Sequence, residues 1–198
     1  MSIDLYGFAH YLRKKMPFIW DILELMNDIL FTLFYSQRLR TIPETLKKNS
    51  GDIVFRYATI NDIDNLKSFF DSQPEESYKF FQPHAFDKNT LTKLCKQKAF
   101  LMFIVEKKEH IVGYFFFRCS FTAKAFRGRI VDVNSRNQGI GKKMALCMND
   151  IIKVLRFRQF ATISPENYAS LESVKAVNNI RIIKTIENGY YYIETLPK

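Results

Sequence analysis

At 198 residues and 23.4 kDa the chain is long enough for one domain with its own core, or for one domain and an appendage. Apolar residues at 47% and charged residues at 25% exclude wholesale disorder and a fibrous class. Thirty Lys and Arg against twenty Asp and Glu give +10 and a pI near 9.5, which points to a phosphate-rich partner: nucleic acid, an anionic membrane surface or a phosphorylated cofactor. Cys95, Cys119 and Cys147 are widely spaced and lack a C-x-x-C pair, and His10, His84 and His110 are scattered. No disulfide framework or metal site is expected, and the usage fits a reducing cytoplasm.

In chain order, the first element is an apolar stretch from Pro17 to Tyr35. Asp21, Glu24, Asn27 and Asp28 interrupt it, so it reads as neither a membrane span nor a signal peptide. Apolar residues recur at three- and four-residue spacing, which predicts a helix. Arg13 to Lys15 precede it and Arg38 and Arg40 follow. That leaves open packing on its own domain, a homodimer contact, or peripheral membrane contact through residues 13–40. Thr41 to Gly51, with Pro43, reads as a linker, giving a helical N-terminal extension over 1–50 and a second domain over 51–198.

That second region begins with a strand over Ile53–Tyr57 and a helix with Ile63, Leu66, Phe69 and Phe70 on one face, stopped at Pro74. An aromatic loop over 72–88 leads to a short helix started by Asp87 or Asn89. Strands over Phe100–Val105 and Ile111–Phe117 form a hairpin, with Phe115 to Phe117 buried on both faces. A strand over Phe126–Val133 runs through a polar turn into a helix ending near Leu155, whose Met144, Met148, Ile151 and Ile152 are core. Phe160–Ile163 is a short strand. After a segment containing Asn167, a hairpin over Glu187–Gly189 closes the sequence.

The turn at 134–141 carries the chemistry. Gly139 and Gly141 fall between a strand and an amphipathic helix, where backbone N–H groups form an anion cradle, and Lys142 and Lys143 add charge. A dinucleotide fingerprint fails because position 144 is Met. A P-loop fails because one residue separates the glycines and Lys143 follows Lys142. The pattern that fits is R-x-x-G-x-G: Arg136, Gly139 and Gly141. With its flanking segments, FRYATINDIDNLKSFF, VEKKEHIVGYFFF and ATISPENYASL, it resembles the GNAT superfamily of acyl-CoA-dependent N-acetyltransferases over roughly residues 53–193.

The resemblance implies an α/β fold: a mixed, twisted sheet with helices on both faces, preceded by the helical extension. It implies an enzyme using acetyl-CoA as co-substrate and a small amine as acceptor. Gln138, Gly139, Gly141 and Lys142, with Arg136, would hold the pyrophosphate. A backbone N–H at Val131 or Val133 would bond the thioester oxygen, in a gap where the strand splays from Phe160–Ile163. Asn167 would approach the pantetheine arm. Many relatives place a Tyr seven residues after that Asn; here it is Val174, so Ser170, Ser173 or Tyr168, or water, is left to protonate the thiolate. Asp132, Glu106 and His84 are candidate bases. Nine basic residues against two acidic ones between Ser120 and Phe160 gather charge near the turn, which favours the cofactor over nucleic acid. A nucleotide-linked amino sugar for surface polysaccharide is the expected acceptor. A non-catalytic binding protein of the same fold is the alternative, and the expected location is cytoplasmic.

Overall fold

The computed structural model of the chain describes residues 16–186 and 188–198. The basic residues Arg13 to Lys15, His10 and the turn residue Glu187 lie outside them. Two helices come first, α1 (Pro17–Leu39) and α2 (Ile42–Asn49). They lead to β1 (Val54–Tyr57), a 3-10 turn (Ile60–Asp62), α3 (Ile63–Asp71), the single-turn α4 (Glu75–Tyr78) and α5 (Lys88–Lys96). Then come β2 (Phe100–Lys107), β3 (His110–Ser120), β4 (Lys124–Val131), a 3-10 turn (Val133–Ser135) and α6 (Ile140–Leu155). The rest is β5 (Arg158–Ile163), α7 (Tyr168–Lys175), β6 (Asn178–Thr185) and β7 (Tyr191–Pro197).

The strands form one sheet of seven in the order β1-β2-β3-β4-β5-β7-β6. All neighbours are antiparallel except β4 and β5. The β2–β3 hairpin closes over Lys108 and Glu109, both at positive φ as a tight primed turn requires. Because strand side chains alternate, Phe115 and Phe117 enter the core beneath α6 while Phe116 enters the core beneath α3 and α5. All three are buried, and so is the Met144–Met148 stripe of α6.

One sequence expectation changes in the N-terminal region. The stretch read as a linker is helix α2: Ile42 and Leu46, four apart, are both buried, and Pro43 sits in the first turn where its missing N–H costs nothing. Phe31, Ile42 and Leu46 join the same buried cluster as Ile53 and the α6 core, across the boundary drawn at residues 50 and 51. Helix α1 is attached through Phe31, Tyr35 and Leu39, which pack on this core, and through polar groups. Asn27 Nδ2 donates to the Cys119 carbonyl at 3.0 Å, and Asn27 Oδ1 accepts from Phe121 N–H. The Asp28 carboxylate accepts from the N–H groups of Lys98 and Ala99, and Gln97 donates to Glu24. The residues that interrupt the apolar pattern are thus docking contacts too. Much of the apolar stripe faces outward, with Phe18 75% and Leu33 70% exposed. Among the described residues no helix is long and apolar enough to cross a membrane.

Candidate active-site cleft

β4 and β5 pair only from Lys124–Arg158 to Phe126–Phe160, although both strands continue. Beyond that point they diverge, as the sequence reading expected, and a cleft of about 480 Å³ opens between them. Its walls are the second half of β4, the end of β5, the first turn of α6, α7 and part of the 76–81 segment.

The turn at the mouth is built for an anion. Asn137 and Gly139 both have positive φ, which folds the chain back so that α6 begins at once. The N–H groups of Ile140 and Gly141 have no carbonyl partner among the described residues, while those of Lys142 and Lys143 are donated to the Gly139 carbonyl; together they form the positive end of the helix dipole. Gly139 needs to be glycine for its φ. Gly141 does not: it lies within α6, where glycine costs about 1 kcal/mol relative to alanine. A Cβ there would meet nothing nearer than Ser173 Oγ at 3.6 Å. Neither packing nor backbone strain accounts for this glycine, but the open space it leaves on the cleft wall does. Arg136 braces the turn, with Nη2 donating to Ser77 Oγ at 2.7 Å and Nε to the Val131 carbonyl at 3.4 Å. Lys142 is exposed and lines the cleft, while Lys143 is paired with Asp52.

The structure separates the candidate residues. Val131, Arg136, Gly139, Gly141, Lys142, Asn167, Ser170 and Ser173 line the cleft together. Asn167 also caps α7 by accepting from Ser170 N–H at 3.1 Å. Gln138 does not line it; its side chain bonds Lys107 and the Asn134 carbonyl. The N–H of Val133 is already donated to Gln73 Oε1 at 3.0 Å, which leaves Val131 as the strand-end candidate for an oxyanion donor.

The candidate bases fall away from the cleft. Asp132 accepts from Gln73 Nε2 at 3.0 Å and from Ser135 Oγ at 3.0 Å, so its carboxylate ties the turn to the end of α3. Glu106 is bound by Arg56. His84 bonds the Tyr114 hydroxyl at 3.1 Å inside a cluster of phenylalanines, and burial lowers its pKa. Tyr168 is 75% exposed and outside the cleft, and Val174 is buried against Ala161, Ile163 and Ile193.

Three residues that sequence reasoning missed line the cleft. Glu76 is an exposed residue of its wall with no side-chain partner among the described residues. Arg127 and Arg129 alternate on β4 on the side of α6 and α7. Burial pulls the Arg127 guanidinium down to about 9, with the nearby Arg129 charge adding to the shift, and burial pulls Arg129 down to about 10. Of the nine basic residues between Ser120 and Phe160, only Arg127, Arg129, Arg136 and Lys142 line the cleft. Arg158 pairs with Glu194, while Lys153 and Arg156 flank a separate groove with Arg38 and Lys48. The charge is therefore less concentrated at the turn than the sequence suggests.

No protein-family model matches the sequence, and no curated protein is similar to it at a significant level. Solved structures are similar in fold, and they define the class: the chain has the GNAT fold. The GNAT domain of S. lividans PAT superposes with a TM-score of 0.63 at 14% identity, over 74% of this chain and 92% of that one. The PaiA N-acetyltransferase from Thermoplasma acidophilum, in complex with coenzyme A, gives 0.61 at 13%, over 75% and 100%. The aminoglycoside acetyltransferase AAC(6')-Ib, in complex with coenzyme A and kanamycin, gives 0.59 at 10%, over 74% and 95%.

Proposed function

We propose that the chain is an N-acyltransferase of the GNAT type, moving an acetyl group from acetyl-CoA to a primary amine of a small molecule. The observation that carries this reading is Gly141, a helical glycine with room for a Cβ, standing on the wall of a cleft that opens where two strands part. A tightly held anion would use that space. The leading N–H groups of α6, with Gly139 and Gly141 allowing close approach, would hold the pyrophosphate, and Lys142 would add charge. Asn167 would meet the pantetheine arm. Acetyl-CoA would supply the acyl group as a thioester, which is activated toward amines.

The chain's residues divide the remaining work. Glu76, the carboxylate on the cleft wall, takes a proton from the acceptor nitrogen directly or through a water as the new C–N bond forms. The Val131 N–H stabilises charge growing on the carbonyl oxygen. The C–S bond breaks with sulfur leaving as thiolate, which takes a proton from solvent or through Ser170; a free thiol pKa near 8.5 makes a dedicated acid helpful but dispensable. Phe80 and Phe81 line the cleft, Phe81 near Gly128 in the middle of β4, and offer a face to a flat group of the acceptor; a nucleotide-linked amino sugar of surface polysaccharide is consistent with this and with the basic walls. Isothermal titration with acetyl-CoA and thiol release over an amine panel test the proposal. Binding without turnover across the panel would identify a non-catalytic member of the fold instead.

The outward face of α1 supports a second element of this reading, a homodimer. Phe18, Leu25, Ile29 and Leu33 form an exposed apolar ridge on a helix whose other side holds it to its domain through Phe31, Asn27 and Asp28. A second copy would cover it. Leu25→Lys with Leu33→Lys should convert a dimer to a monomer in sedimentation. A monomeric wild type that floats with anionic vesicles would assign the ridge to a membrane instead.

A further inference from the structure

The closed end of the cleft holds two cations that the protein does not neutralise. Arg127 and Arg129 are the first residues of β4 past its pairing with β5 that face α6 and α7. Arg127 is 5% exposed; its Nη2 reaches Thr195 Oγ1 at 3.4 Å, and its Nε is buried without an acceptor. Arg129 donates from Nη2 to Ser173 Oγ at 2.8 Å, and its Nη1 is buried without an acceptor. Among the described residues neither meets a carboxylate. A buried cation with unfilled donors is costly, and a cleft that opens onto it offers a way to fill them from outside.

Position and donor count narrow what would fill them. Ser173 stands between the space beside Gly141 and the Arg129 guanidinium, so the anion cradle and the arginines share one wall. From Val131 to Arg127 that wall runs about 13 Å along the strand, away from the turn. The arginines therefore lie further along β4 than Val131, past the proposed oxyanion donor, where the acyl tail or the acceptor would end. Arg127 offers the single N–H of Nε and Arg129 the two of Nη1. Two neighbouring guanidinium groups, each with one nitrogen left unfilled, suit the two oxygens of one carboxylate.

We propose that the closed end of the cleft binds a carboxylate of the substrate between Arg127 and Arg129. This rests on the acyl-CoA reading above. The carboxylate belongs either to the acyl group, as in a dicarboxylic half-thioester, or to the acceptor, as in an amino acid.

The test is isothermal titration and thermal shift on the full chain. The probes are coenzyme A, acetyl-CoA and succinyl-CoA, then lysine against cadaverine on the protein loaded with coenzyme A. If the acyl group is the source, succinyl-CoA binds at least about tenfold tighter than acetyl-CoA. If the acceptor is the source, the two thioesters bind alike and lysine binds at least about tenfold tighter than cadaverine. Either preference should vanish in Arg127→Met, and Arg129→Met should reduce it. Arg127→Met should also raise the melting temperature of the free protein, because a purely structural arginine would lower it. Discrimination below about twofold in both pairs overturns the proposal. If coenzyme A itself does not bind, the acyl-CoA reading falls and takes this proposal with it; if coenzyme A binds without either preference, the carboxylate assignment alone fails.

Discussion

Two regions of the same sheet treat charged side chains in opposite ways. At its β1 edge, Arg56 lies between Asp62, at 2.8 Å, and Glu106, at 2.6 Å, and Asp62 also accepts from the Thr59 N–H and hydroxyl. Every charge there has a partner, and the network fastens the start of α3 to β1 and β2. In the cleft between β4 and β5, Glu76 and Lys142 have no partner among the described residues, and Arg127 and Arg129 meet no carboxylate. Paired charges in this molecule hold elements together. Charges left unpaired around an opening are the ones available to a ligand. The contrast separates Asp132 and Glu106, which resemble catalytic carboxylates in sequence, from Glu76, which does not.

The contrast can be broken at either region. The largest effect should come from stripping the paired one: Asp62→Asn with Glu106→Gln leaves Arg56 without a counter-charge and should cost about 3 kcal/mol in denaturant unfolding. Acetyl-CoA affinity should be unchanged, and a parallel loss of affinity would mean that the two regions are coupled. Next is Glu76→Gln, which should lower kcat about 100-fold, or about 2.7 kcal/mol of transition-state stabilisation, with the melting temperature held. A full-speed Glu76→Gln enzyme would return the base to solvent.

A smaller effect appears in acid. The Arg56 hydrogen bond and the Thr59 donors outweigh burial and hold Asp62 down at about 2, against an ordinary 3.8. A depressed carboxyl contributes stability that is full above its unfolded pKa and fades as pH falls through the folded one. Unfolding free energy should therefore drop by about 1 to 2 kcal/mol between roughly pH 4 and pH 2, after allowing for the solvent that reaches Arg56. Asp62→Asn should flatten that component. The smallest effect is Lys142→Ala, which should weaken acetyl-CoA by about 1 kcal/mol and leave stability alone, because the lysine is exposed and unpaired.

Much of the fold was legible because its signals are local. The β2–β3 hairpin, the α6 stripe and the Arg136–Gly141 turn each announce themselves within a few residues; the divergence of β4 from β5 was expected only through the family resemblance. Helix α2 was missed because two buried residues, Ile42 and Leu46, set beside Pro43 and Gly51, look like a linker until α6 supplies a surface for them. Helix α1 was read correctly as a helix, but its orientation depends on what Asn27 and Asp28 bond to, some seventy to ninety residues away. The site divided along the same line. Backbone cradles follow from spacing. Whether Asp132 is free or held by Gln73, and whether Arg127 has a counter-charge, depends on contacts that no stretch of sequence contains.

The central claim is that the cleft beside Gly141 holds the pyrophosphate of an acyl-CoA. Isothermal titration of acetyl-CoA into wild type and Gly141→Trp tests it most directly. The account predicts one site per chain in wild type and binding at least about 100-fold weaker in Gly141→Trp, with both proteins folded. No binding to wild type, or equal binding to the variant with its cleft wall filled, would contradict it.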